Sequence, residues 1–222
     1  SLGVNLQISP EQVGQCIDEV GIGFCFAPLL HSAMKNVVPV RKSLGIRTIF
    51  NLLGPLTNPA GAQFQLLGAN RVSSAEKLAR ALHELGCERA FVVCGNDELD
   101  EVSLWGETTV FDVSAGGVAL QKWTASTFGL GECSVDALKV TSPEESAATI
   151  QLILSGKPGP ARNIVVANAA AALLAGQRET DPVTAADRVA EAIDSGAAKN
   201  TLDRLAELTQ SFSQGSETAS QC

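Results

Sequence analysis

The sequence has no tyrosine and an aromatic share of 5%. It therefore lacks the ring-rich surface on which single-stranded nucleic acid stacks. Basic residues are scarce too: 16 Lys and Arg stand against 24 Asp and Glu, for a net charge of −8. Such a balance gives no general basic face to a phosphate backbone, so nucleic acid is not an expected partner. No apolar run reaches the roughly 18 residues that a membrane-crossing helix needs, so no membrane partner is expected. The six cysteines are Cys16, Cys25, Cys87, Cys94, Cys133 and Cys222; they form no C-x-x-C pair, and there are two histidines. That is a poor ligand set for structural zinc, and the thiols read as buried groups of a reducing compartment. Walker A, G-x-G-x-x-G and nucleophile-elbow patterns are missing.

What is present is a chain of 222 residues, 45% hydrophobic and 18% charged. It is too apolar for a disordered segment and long enough for one large domain or two small ones. Its one methionine is Met34 and it opens Ser-Leu-Gly, which reads as the inside of a longer protein. Ser9, Pro10 and Gln12 spell a helix start with a capping box. Val13, Cys16, Ile17 and Val20 continue at helical spacing to a stop at Gly21. The apolar run 22–27 reads as a buried strand, 29–37 as a helix, and Pro39 opens another. Residues 54–61 form a loop dense in Gly and Pro.

Strands are expected over 64–68 and 90–94, with a helix over 74–85 between them. The uninterrupted apolar run at 90–94 suits a central parallel strand. Residues 107–113 and 118–123 read as a hairpin. The last third reads as helices over 143–154, 161–175, 183–195 and 198–208, followed by a polar tail from Phe212. This order argues for an α/β fold with a mixed, mainly parallel sheet flanked by helices.

Four constellations could carry chemistry. Asp100 and Glu101 follow the 90–94 strand by a short loop, and ligands of open α/β sheets bind at the carboxyl ends of strands. Two adjacent carboxylates there could hold Mg²⁺; equally they could be a solvated acidic loop. Lys35, Arg41, Lys42 and Arg47 form a basic stretch that offers either an anion grip or a solvated helix face. His31 reads as a binding group or as a half-buried, satisfied imidazole. Gly54 and Pro55 open a rigid loop that could line a site or simply connect domains. His83 falls on the polar face of a helix and is assigned no role. On these residues alone, no reaction follows.

The stretch 31–60 contains His31, Lys35, Arg41, Gly45, Arg47, Asn51, Gly54-Pro55 and Asn58-Pro59. It resembles the signature region of the anthranilate phosphoribosyltransferase family. The similarity extends to Leu2-Gly3-Val4-Asn5, to 21–27, to Leu99-Asp100-Glu101-Val102-Ser103 and to the Ala-rich helix around Asn168. It runs to about residue 208. The resemblance implies a two-domain enzyme that moves the phosphoribosyl group of phosphoribosyl pyrophosphate onto anthranilate. Arg41, with His31, Gly54 and Pro55, would contact anthranilate, and Asp100 and Glu101 would hold Mg²⁺ on the pyrophosphate. It also implies a fold of the nucleoside phosphorylase and phosphoribosyltransferase class, with the site in a cleft. Residues 1–37 and 61–210 would belong to the large α/β domain, 38–60 would return to a small helical domain, and 211–222 would be a disordered tail.

The full-length enzyme would be a homodimer in the cytoplasm, or in the plastid of a plant or alga. The family's Gly-Thr-Gly-Gly-Asp phosphate loop and Lys-His-Gly-Asn segment do not occur in these residues. The chain thus corresponds to the C-terminal portion of such an enzyme. Asn163 stands where an Asp is expected. Two other readings follow from the same resemblance: a pyrimidine nucleoside phosphorylase-like enzyme, and a non-enzymatic relative that binds nucleic acid.

Overall fold

Hydrophobic spacing and a well-formed cap account for the first helix, α1 (Pro10–Val20). The computed structural model describes residues 1–30, 54 and 56–218. In it the Ser9 hydroxyl accepts from the Gln12 N–H, the Gln12 side chain accepts from the Ser9 N–H, and Gly21 closes the helix at φ 89°. Ser9→Ala removes one half of this box. It should lower stability by about 1 kcal/mol, seen as a lower urea midpoint at unchanged slope.

The described residues divide into two compact units, 1–60 with 196–222, and 61–195. In the first, α1 packs on the last helix, α7 (Ala197–Thr218). Ile8, Val13, Cys16 and Leu205 form its buried cluster, bordered by Val4, Val20, Leu208 and Phe212. The extended N-terminal segment is tied along α7. The Asn5 N–H donates to Thr209 Oγ1 at 3.1 Å, and Gln210 Nε2 donates to the Gly3 carbonyl at 2.8 Å.

Three expectations are corrected here. Residues 22–26 are not a strand; they have no regular structure and are followed by the four-residue helix α2 (Ala27–Leu30). A strand needs a ladder partner, and the described elements of this unit are all helical. Phe24 is 53% exposed and Cys25 is also exposed, so that thiol is not buried. The expected tail from 211 is helical to Thr218. Composition there is polar, but Phe212 packs on the cluster and anchors the added turns. The helices expected from 31 to 53 lie outside the described residues.

The second unit is built on a four-stranded sheet in the order β1 (Phe64–Gly68), β2 (Arg89–Gly95), β3 (Thr108–Ser114), β4 (Gly117–Trp123). The sheet is mixed as expected. Among the described strands only β1 and β2 run parallel, because the chain re-enters through a hairpin at β3 and β4. The β1–β2 crossover is α3 (Val72–Glu84), which packs on β2 and β3. Every residue of β2 after Arg89 is buried, which explains its unbroken apolar run.

Three helices complete the unit: α4 (Pro143–Leu154), α5 (Pro160–Ala175) and α6 (Pro182–Asp194). Each has proline in its first turn, where the missing N–H costs nothing. Alanines at 167, 170, 171 and 175 are buried, and α5 packs on α6 as well as on β1 and β2. Phe91, Trp123 and Phe128 stack edge to face, with centroids 5.1 and 5.5 Å apart.

Candidate functional site

The carboxyl end of β2 is where the sequence and the fold converge. Beyond Gly95 the chain makes a tight turn through Asn96 and Asp97, both in the left-handed region at φ 52° and 56°. Gly95 and Leu99 exchange backbone hydrogen bonds of 2.8 Å across it. Asparagine and aspartate tolerate this conformation better than other non-glycine residues. Their side chains then pin the turn. Asp97 Oδ1 accepts from the Val72 N–H at 2.7 Å, at the start of α3, and the Arg71 guanidinium donates to the Asp97 carbonyl. Asn96 Nδ2 donates to Ser103 Oγ at 3.0 Å and to the Trp105 carbonyl at 2.7 Å, and Asn96 Oδ1 accepts from the Glu107 N–H.

Asp100 and Glu101 emerge from this turn, both exposed, while Val102, Ser103 and Leu104 dive into the core at 0% exposure. The backbone of the pair is packed against the sheet. Gly68, the last residue of β1, lies so near that a Cβ on it would sit 1.7 Å from the Asp100 carbonyl oxygen. A Cβ on Gly95 would lie 3.0 Å from the Glu101 carbonyl oxygen. From α5, Asn168 Oδ1 accepts from the Val102 N–H at 2.8 Å, and Nδ2 donates to the Val102 carbonyl at 3.1 Å.

The electrostatics favour a cation. The protein around it desolvates the Glu101 carboxyl, and the Asp100 charge adds repulsion; together they hold Glu101 above the usual carboxylate range. A hard divalent cation relieves both effects. Among the described residues no group of three or more His, Cys, Asp or Glu gathers as a metal cage. A carboxylate pair alone suits magnesium, which commonly takes one or two protein carboxylates and completes its octahedron with water and phosphate oxygens. The residues present therefore fit such an ion.

Of the other expected site residues, His31, Arg41 and Pro55 lie outside the described residues. Gly54 is described and exposed, but it is helical, as is Leu56, so the loop expected over 54–61 starts later; the Gly54 carbonyl accepts from the Thr57 N–H at 3.2 Å. His83 stands apart from the carboxylates, where its Nδ1 lies 3.0 Å from the Ser114 carbonyl oxygen. It borders a cavity of about 520 Å³ together with Phe111 and Leu120. Asn163 lies in the first turn of α5, where its N–H donates to the Gly159 carbonyl. Sequence reasoning missed Gly68 and the clamp from Asn168. Each had a signal: a glycine ending an apolar strand marks close backbone approach, and a polar residue within an alanine-rich helix has a partner to find.

The model of the glycosyl transferase family, a/b domain, matches residues 1–199. The anthranilate phosphoribosyltransferase of Trichlorobacter lovleyi is 51% identical over 208 residues, which cover 94% of this chain and 60% of that protein. Its counterpart in Geotalea uraniireducens is 48% identical with the same coverage. Among solved structures, the Thermus thermophilus anthranilate phosphoribosyltransferase superposes with a TM-score of 0.87 at 40% identity, over 94% of this chain and 62% of that one. The Saccharomyces cerevisiae enzyme, solved in complex with PRPP and Mg, gives a TM-score of 0.86 at 28% identity, over 95% and 61%. The chain thus spans about 60% of the length of the curated relatives it matches.

Proposed function

The chain belongs to the glycosyl transferase family, a/b domain, and from that premise we propose that it carries the metal-holding half of an anthranilate phosphoribosyltransferase. The reaction transfers the 5-phosphoribosyl group of phosphoribosyl pyrophosphate to the amine of anthranilate and releases pyrophosphate, a step toward tryptophan. The observation that carries this reading is the Asp100–Glu101 pair, seated on Gly68 at the carboxyl end of β2 in a chain about half identical to enzymes of that name.

In this reading Asp100 and Glu101 hold Mg²⁺ against the pyrophosphate. When bound, the ion supplies Lewis-acid neutralisation of the leaving group. Arg41 would hold the anthranilate carboxylate, a task suited to a guanidinium, and His31, Gly54 and Pro55 would also contact anthranilate. An aryl amine is uncharged at neutral pH, so the protein's task is to position it for attack rather than to deprotonate it. The full-length protein is a homodimer in the cytoplasm. Among the described residues no helix is long and apolar enough to cross a membrane.

The test joins this chain to the segments of the Trichlorobacter lovleyi enzyme that lie outside the matched 60%. Loss of anthranilate fluorescence is then followed with phosphoribosyl pyrophosphate and Mg²⁺. The chimera should turn over and the 222-residue chain should not, because the phosphate loop is not among its residues. An inert chimera that instead cleaves thymidine with phosphate, or that shifts nucleic acid at low salt, would replace this reading.

A further inference from the structure

We infer that Asn168 is a positioning residue for the Asp100–Glu101 pair, acting by clamping the backbone of the residue that follows it. The inference rests on the function proposed above.

Three hydrogen bonds fix the Asn168 carboxamide. Oδ1 accepts from the Val102 N–H at 2.8 Å, and Nδ2 donates to the Val102 carbonyl at 3.1 Å and to the Ile164 carbonyl at 2.9 Å. The third bond, to the preceding turn of its own helix, sets which way the amide faces. A flipped amide would bring its NH₂ against the Val102 N–H and its oxygen against two carbonyls. The side chain therefore serves Val102 as a strand neighbour would, pairing with both its donor and its acceptor.

The Val102 N–H belongs to the same planar peptide unit as the Glu101 carbonyl. That unit is held at one end by Asn168 and backs onto the Cα of Gly95 at the other. The preceding unit, carrying the Asp100 carbonyl, is pressed against Gly68. These two planes flank the Glu101 Cα and set the direction in which its side chain leaves the backbone; the plane before them carries the Leu99 carbonyl, which accepts from the Gly95 N–H at 2.8 Å, and sets that of Asp100. The pair itself is exposed, so its orientation depends on how its backbone is held.

Asn168 is also out of character for its helix. α5 buries Val166, Ala167, Ala170, Ala171, Leu174 and Ala175, and asparagine is a weaker helix former than the alanine around it. Alanine at 168 would serve the helix better, so the amide is explained by what it holds.

The test uses the chimera and reads metal binding directly, with Mn²⁺ as a paramagnetic probe titrated in the presence of phosphoribosyl pyrophosphate. Asn168→Ala keeps the helix and removes the clamp. Mn²⁺ affinity should fall about tenfold or more, the range seen when residues that orient metal ligands are lost, while KM for anthranilate stays within about twofold. A lowered melting temperature with unchanged Mn²⁺ affinity would make Asn168 merely structural and overturn the inference. If Asn168→Ala does not fold, Asn168→Gln is read in the same titration. It keeps the amide but displaces it by one methylene, and wild-type affinity there would equally overturn the inference. If the unmutated chimera binds no Mn²⁺ with phosphoribosyl pyrophosphate, the proposed function fails and takes the inference with it. Binding by the unmutated chimera together with an unaffected variant defeats the inference alone.

Discussion

With Asp100→Asn and Glu101→Gln combined, the chimera should lose about a thousandfold in kcat/KM at any attainable Mg²⁺ concentration, and its thermal stability at pH 7 should not fall. The first half follows from charge. A cation on a departing phosphate oxygen stabilises the transition state by several kcal/mol. Each loss of about 1.4 kcal/mol is a factor of ten in rate. The amides keep the shape of both side chains and take away the ligand charge. The second half follows from the direction of the Glu101 shift. Desolvation first, and Asp100 second, raise its pKa in the folded protein. Such a group favours folding most when protonated, below its unfolded pKa, and that contribution is lost as pH rises through the higher folded value. At pH 7 the neighbouring charges repel, so neutral amides remove a cost. A variant that is inactive and at least as stable separates a binding role from a structural one. Equal loss of activity and melting temperature would contradict this account.

Gly68→Ala should be nearly as damaging through an unrelated route. The new Cβ would fall 1.7 Å from the Asp100 carbonyl oxygen and 2.5 Å from its carbon. Both neighbours are backbone, so no rotamer change relieves the overlap and the loop must move. A misplacement of about an ångström costs on the order of a hundredfold in rate. Overpacking of this kind adds about 1–3 kcal/mol of destabilisation. Steady-state kinetics on the chimera, with a urea unfolding curve, reads both. Wild-type kinetics from this variant would mean that the close seat of Asp100 on β1 has no part in the site.

Local signals made much of the fold legible. The capping box at Ser9 and Gln12 located α1, the apolar run Ala90–Cys94 located the central strand, and the turn near Gly117 located the hairpin. Errors fell where partnership decides structure. Residues 22–26 have the composition of a strand, but the described elements of their own unit are all helical. Phe212 looks like the start of a tail until α1 is placed against it. The site shows the same division. Asp100 and Glu101 stood out as adjacent carboxylates after an apolar strand, and the family resemblance rather than their spacing favoured a cation over a solvated acidic loop. Gly68 and Asn168 are both remote from Asp100 along the chain, and their importance lies in distances that no local pattern encodes. His31, Arg41 and Pro55 stood out as candidate binding residues in the sequence, and only the family resemblance assigned them to anthranilate; they lie outside the described residues.

The division of the chain also bears on its synthesis. The described residues among positions 1–60 share a compact unit with those among positions 196–222, and the stretch between them, 61–195, forms the other unit. The inner unit is contiguous and can complete itself as it leaves the ribosome. The outer one cannot: α1 must wait for α7, whose Leu205 and Thr209 close over Ile8 and Asn5. At typical elongation rates of about 5–20 residues per second, α1 spends on the order of ten seconds or more with its apolar face uncovered. Val13 and Cys16 are thus uncovered for longer than any part of the sheet, until α7 has been made.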